Sequence, residues 1–248
     1  MTRTDTVALA LVGALLLTMP VFAVVARGRP MDADVARRSK SVLLGHWVRD
    51  WLMWVIGPME RGLVRARVSP DVFNYLGVVF GLLAGVAFAR GSLSLAGWMV
   101  LLGGAADIFD GRIARARGIA APYGAFLDST LDRFAETFAF AGVALFFQAS
   151  RPALLATVLA MGASLLVSYA RARGEALGVH GAGGVMQRAE RLVTLALAAL
   201  LDSAVTGRAG WAPGSLLAGA VALIALGALG TAVYRTGYVT RELKRRPS

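Results

Sequence analysis

No cysteine occurs among the 248 residues. Disulfides, thiolate nucleophiles and cysteine-ligated metals are thereby excluded. Histidine is nearly absent. His46 and His180 are the only two, too few for a multi-histidine metal site, and both read as interfacial or loop residues. Charge is scarce as well, at 17% of residues against about 25% in soluble domains. A hydrophobic share of 57% and a mean hydropathy of +0.63 exclude an ordinary soluble domain. The charge that remains is one-sided: 26 Lys and Arg against 15 Asp and Glu, a net +11. In a soluble protein that excess points to nucleic acid. In a membrane protein it marks cytoplasmic loops, so no nucleic-acid partner is expected.

A helix that crosses a bilayer needs about 20 mostly apolar residues. Seven stretches qualify in whole or in part, near 6–26, 70–89, 93–110, 124–148, 152–172, 192–206 and 213–235. No strand alternation or hairpin signal competes with them. The expected fold is an all-α integral membrane protein. A six-helix bundle follows an extra N-terminal transmembrane helix. Nearly all Lys and Arg lie in 27–67, 111–117, 171–191 and 235–246, whereas the opposite connections hold only Arg90, Arg151 and Arg208. Alternate loops are therefore basic, which places both ends of the six-helix unit, and any site near them, on the cytoplasmic side of the cell (inner) membrane. A cleaved signal peptide fits residues 1–26 poorly, because the strong positive charge follows the apolar run; a retained anchor is expected. The implied segments are 1–27 (anchor), 28–68 (juxtamembrane), 69–237 (catalytic six-helix domain) and 238–248 (basic tail).

The juxtamembrane segment opens with Arg27, Arg29, Arg37, Arg38 and Lys40 and continues as a mixed apolar and charged stretch from Leu43 to Leu63. Trp47, Trp51 and Trp54 recur there at helical spacing, which suits an amphipathic helix in the membrane interface. An ordinary helix packed on the bundle is the alternative. Pro58 is expected to kink or end its first part.

Acidic groups at membrane depth are costly and mark function by default. Four are tightly patterned: Asp107 and Asp110 at i, i+3, and Asp128 and Asp132 at i, i+4. Each pair shares a helix face. A short basic turn from Arg115 to Pro122 separates them, so the two helices are expected to be antiparallel neighbours with converging carboxylates. Four anions in one place need compensation. An oxygen-only donor set suits Mg²⁺ or Mn²⁺, two ions rather than one, and phosphoryl-type transfer is the first chemistry such a site suggests. The competing account is that these aspartates pair with Arg112, Arg115 and Arg133. Glu136 and Glu190 read as salt-bridge partners.

The run Asp107-Ile-Phe-Asp110-Gly111-Arg-Ile-Ala114-Arg115, followed after eight residues by Gly124, then Asp128 and Asp132 at four-residue steps, resembles the signature of the CDP-alcohol phosphotransferases at every specified position. The resemblance implies transfer of a substituted phosphate from a CDP-linked lipid, such as CDP-diacylglycerol, to an alcohol, with release of CMP. It implies Asp107, Asp110, Asp128 and Asp132 as metal ligands, with Asp132 also the general base. It implies that Asp107, Asp110, Gly111, Ala114, Arg115 and Gly124 contact the CDP moiety, with Arg115 at the diphosphate. Homodimerisation is implied in the same way.

Ser168-Tyr-Ala-Arg171-Ala-Arg173-Gly-Glu175 and Gln187-Arg188-Ala-Glu190-Arg191-Leu are similar to the phosphatidylinositol-phosphate synthase branch of that family. That likeness implies an acceptor-phosphate pocket at Arg171, Arg191 and Arg235, with Arg173 nearby, and a phosphorylated polyol such as inositol phosphate as acceptor. Arg171 stands where lysine is usual, and Ala189 where proline is common. Arg173 and Arg188 are explained adequately as positive loop charges. Glycerol 3-phosphate, serine or choline is the alternative acceptor. A transporter or scaffold with an acidic ion site is the alternative of a different class.

Overall fold

The computed structural model describes residues 3–37 and 45–246. Arg38, Lys40 and Leu43 of the juxtamembrane reading lie outside them. The described chain is helical throughout, with α1 (Arg3–Val25), α2 (Ala33–Arg37), α3 (His46–Arg65), α4 (Pro70–Ala89), α5 (Leu93–Ala116), α6 (Pro122–Phe146), α7 (Arg151–Ala176), α8 (Arg188–Ala209) and α9 (Ser215–Lys244). Pro70, Pro122 and Pro152 stand in the first turns of α4, α6 and α7, where a missing backbone donor costs nothing. Gly118 leaves α5 with φ +65°, a left-handed turn that starts the chain back toward α6.

Among the described residues, six helices are long and apolar enough to cross a membrane: α1, α4, α5, α7, α8 and α9. The seventh expected span, α6, has comparable length at 25 residues but carries Asp128, Asp132, Arg133 and Glu136. It packs along α4 and α7 as part of the same bundle. The chain is a multi-pass integral membrane protein.

Helices α4 to α9 close into a ring in the order α4, α5, α8, α9, α7, α6 and back to α4. This corrects the expectation that α5 and α6 are close neighbours. Their direct contact is slight, and α4 packs against both. The acidic ends of α5 and α6 therefore meet across the ring.

Small residues make this possible. In lipid, apolar side chains gain little by burial against one another, so close backbone approach supplies the attraction. Ala84, Ala87, Ala96, Ala139, Ala160, Ala196 and Ala199 are all buried in the main core, whereas Leu82, Leu83, Leu155, Leu226 and Val233 face outward. At the α4–α6 contact a Cβ on Gly142 would lie 2.0 Å from the Gly85 carbonyl oxygen, and one on Gly85 would lie 2.3 Å from that of Phe138. Gly142→Ala must separate the helices, at roughly 1–3 kcal/mol or more. A clear fall in Tm of the detergent-purified protein is expected. An unchanged Tm would show that the helices do not approach this closely.

α1 is built into the bundle. It packs on α5 and α8, and its Asp5 accepts hydrogen bonds from Ser94 Oγ (2.6 Å) and Ser203 Oγ (3.1 Å). The tryptophans of α3 serve α1 directly. Trp51 Nε1 donates to Thr18 Oγ1 at 2.8 Å, and the buried Phe22 ring lies 5.5 Å from Trp47 and 5.7 Å from Trp54. Ile56, with Leu52, Met53 and Leu63, packs on Phe109 and Ile113 of α5. α3 thus packs on both α1 and α5. Pro58 does not end it, since the helix continues to Arg65.

Two further expectations change. α9 runs unbroken to Lys244, so most of the basic tail from 238 is the last turns of that helix. The intramembrane acids also number more than the four of the motif. Asp202 is 1% exposed and accepts the backbone N–H groups of Gly214 (2.7 Å), Leu216 (3.0 Å) and Leu217 (3.2 Å). These are the unpaired donors at the start of α9, where a negative charge also meets the positive end of the helix dipole. Gly214 adopts φ +89° there. The acid at 202 is structural.

Candidate active site

The motif residues gather at one end of the ring. α5 brings Asp107 and, one turn on, Asp110; α6 brings Asp128 and Asp132. Asp107, Asp128 and Asp132 each offer a carboxylate oxygen, and these oxygens lie within 4.8 Å of one another. Asp110 is buried beside this trio, within hydrogen-bond range of Asp128, and its Oδ1 accepts the Gly111 backbone N–H. Convergence of carboxylates from two helices, without histidine or cysteine, is an oxygen-only donor set that fits a divalent metal ion.

The arginines do not sort as the competing account has them. Arg112 and Arg115 do not pair with the four aspartates. Arg112 meets Glu60 (2.6 Å), Asp32 (3.0 Å) and Asp34 (3.6 Å). Arg115, half exposed, meets Asp34 at 2.9 Å. The acids of α2 and the turn before it thus fold over the end of α5. Burial opposes ionisation of Asp32, but the Arg112 hydrogen bond and charge outweigh it and hold the carboxyl below its ordinary pKa. Arg133 is the one arginine of the competing account that reaches the site, 3.5 Å from Asp132.

Arg188 was expected to be a loop charge, and this is corrected. As the first residue of α8 it lies 2.6 Å from Asp132 and 3.3 Å from Asp107. The available signal was its spacing, three residues before Arg191 on the same helical face. Arg191 itself is 1% exposed and donates two hydrogen bonds to Glu136, at 2.7 and 3.0 Å. Glu190 meets Arg49 at 3.4 Å. Both glutamates are therefore salt-bridge partners.

Of the expected acceptor pocket, Arg171 and Arg191 each come within electrostatic reach of Arg235. Arg235 is buried and donates to the carbonyls of Gly183 and Val167, both at 2.8 Å. Arg171 is exposed and pairs with Glu175 at 2.8 Å. Arg173 is exposed in the last turn of α7 and is not among the charges acting on Arg235. The loop from Leu177 to Gln187 is pinned by α9 and the residues after it. Besides Arg235, Tyr238 donates to the His180 carbonyl and Arg246 to those of Leu177 and Gly178.

The expected nucleotide side is open. A Cβ on Gly124 would meet nothing within 4 Å, and the nearest group to one on Gly111 would be the Arg115 guanidinium, at 3.0 Å. Ala114 is half-buried between them in sequence. The arrangement offers carboxylates that fit a cation, places arginines behind them and leaves space in front. It can bind a charged phosphodiester and accept a proton.

The sequence model of a family described as CDP-alcohol phosphatidyltransferase matches residues 67–234. The phosphatidylinositol phosphate synthase of Cutibacterium acnes is 37% identical over 171 residues, 67% of this chain and 80% of that protein. The enzyme of the same name from Streptomyces avermitilis is 34% identical over 231 residues, 88% and 90% of the two chains. Archaetidylinositol phosphate synthase of Methanothermobacter thermautotrophicus is 32% identical over 180 residues, 73% and 87%. Among solved structures, Mycobacterium tuberculosis phosphatidylinositol phosphate synthase with CDP-DAG bound superposes with a TM-score of 0.65 at 32% identity, covering 73% of this chain and 92% of that one. The same enzyme in complex with manganese and citrate gives 0.65 at 32% identity, covering 74% and 88%.

Proposed function

This chain belongs to the CDP-alcohol phosphatidyltransferase family, and on that footing we propose that it transfers a phosphatidyl group from CDP-diacylglycerol to inositol phosphate and releases CMP. The observation that carries the reading is the meeting of three carboxylate oxygens within 4.8 Å beside the arginines of α8. Membership in a transferase family displaces the transporter and scaffold readings.

In the proposed site Asp107, Asp110, Asp128 and Asp132 would hold two Mg²⁺ or Mn²⁺ ions. When bound, the ions neutralise the diphosphate and the departing CMP. Gly111, Ala114 and Gly124 leave room for the cytidine, and Arg115 faces the diphosphate after parting from Asp34. Asp132 takes the proton of the acceptor hydroxyl as its oxygen attacks phosphorus. The new P–O bond joins the polyol to the phosphatidyl group, and the broken P–O bond leaves with CMP. Arg171, Arg191 and Arg235 hold the acceptor's phosphate, with Arg173 at the pocket's outer rim. Residues 69–237 are the catalytic unit, 1–27 its anchor, and 28–68 an interfacial segment. We place the site on the cytoplasmic face of the cell (inner) membrane from the asymmetry of Lys and Arg, and propose a homodimer by likeness to the family.

The test is CMP release by the purified protein from CDP-diacylglycerol with inositol phosphate, glycerol 3-phosphate, serine or choline. Release is expected with inositol phosphate, to stop with a chelator and to return with Mg²⁺ or Mn²⁺. Preference for another alcohol would overturn the acceptor. No release with any of them, or release indifferent to chelation, would overturn the reaction.

A further inference from the structure

Arg188 lies where the aspartate cluster meets the arginines of α8, and the roles proposed above leave it without one. Its Nη2 is 2.6 Å from Asp132 on α6, and its Nη1 is 3.3 Å from Asp107 on α5. Its Nε and Nη1 are nevertheless buried and without a hydrogen-bond acceptor. Unmet buried donors on a charged group are expensive. The neighbouring side chains are committed elsewhere. Both Glu136 oxygens accept from Arg191, and Arg133 leans on Asp132. Beneath the site, the crevice that Arg188 and Glu136 line is otherwise glycine, alanine and apolar side chains, including Gly77, Gly81 and Leu192. Apart from Glu136, the only side-chain acceptor lining that crevice is the weak thioether sulfur of Met99. A planar guanidinium held in place by two carboxylates, with donors left over, has the geometry that receives phosphate oxygens.

We propose that Arg188 is a further substrate-contacting residue, whose unmet N–H groups bind a phosphate oxygen at the junction of the two subsites. Asp107 and Asp132 aim the guanidinium, and the phosphate completes its hydrogen bonds. Two phosphates pass through that junction: the phosphoryl group in transit and the phosphate carried by the acceptor. The inference rests on the transferase reading given above.

Arg188→Gln and Arg188→Lys, purified in detergent, distinguish the sources. Contact with the acceptor's phosphate predicts that Arg188→Gln raises both KM and calorimetric Kd for inositol phosphate by roughly 10- to 100-fold. KM for CDP-diacylglycerol then stays unchanged, and lysine restores part of the loss. Contact with the phosphoryl group in transit predicts a kcat fall of similar size with acceptor affinity unchanged, because the bond then strengthens in the transition state. A variant with lowered Tm but wild-type kcat, KM and Kd would show a purely structural arginine and overturn the proposal. Wild-type protein that releases no CMP would instead sink the transferase reading, while the calorimetric arm would still report on acceptor-phosphate contact.

Discussion

Asp132→Asn is expected to lower kcat for CMP release by roughly 10²- to 10⁴-fold, the range contributed by a positioned general base. The substitution keeps the size of the side chain and one carbonyl oxygen for Arg188, now 2.6 Å away. It removes the capacity to accept a proton. Asp132 offers a carboxylate oxygen within 4.8 Å of those of Asp107 and Asp128, in the cluster to which the proposed reaction is assigned. Loss of one of four crowded negative charges also relieves repulsion, so the protein should fold with Tm near that of wild type. The check is steady-state CMP release at saturating substrates beside a thermal melt. A kcat within tenfold of wild type, in a folded protein, would remove the base from Asp132.

Arg191→Ala is expected to cost roughly 3–5 kcal/mol of stability, because it strands a buried carboxylate. Arg191 is 1% and Glu136 4% exposed, and they share two hydrogen bonds at 2.7 and 3.0 Å. Replacing both, as Glu136→Leu with Arg191→Leu, removes the charges together. Such paired replacement is often neutral, so Tm should largely return. Acceptor binding should not return with it, since the proposed phosphate pocket loses an arginine either way. The two measurements separate the two jobs of this residue. An unchanged Tm in Arg191→Ala would refute the stranded-charge account. Wild-type acceptor KM in the stable double variant would make Arg191 structural alone.

The acids show how far local pattern reaches. Asp107, Asp110, Asp128 and Asp132 were readable because helical period alone puts each pair on one face. Asp202 likewise lies in a helix apolar enough to cross a membrane, yet it caps α9 through three backbone N–H groups. It has the same residue type and the same cost, with no spacing that betrays its partner twelve residues away. Arg188 was misread for the converse reason. A basic residue at the start of a cytoplasmic helix looks like every other loop charge until the aspartates that it meets are known.

The helices themselves, the membrane class, the paired acids and the exclusion of thiol chemistry follow from composition and short-range spacing. Those quantities are properties of a few turns of chain. Ring order is not among them. α4 packs against both α5 and α6, so the carboxylates of those two helices meet across the bundle. The arginine assignments are also tertiary. Arg115 turns to Asp34, 81 residues away, Arg191 to Glu136, 55 away, and Arg49 to Glu190, 141 away. One guanidinium has many carboxylates of equal chemistry to choose from. Packing of glycine and alanine faces brings particular backbones together, and the choice of partner follows from which carboxylate that packing leaves within reach.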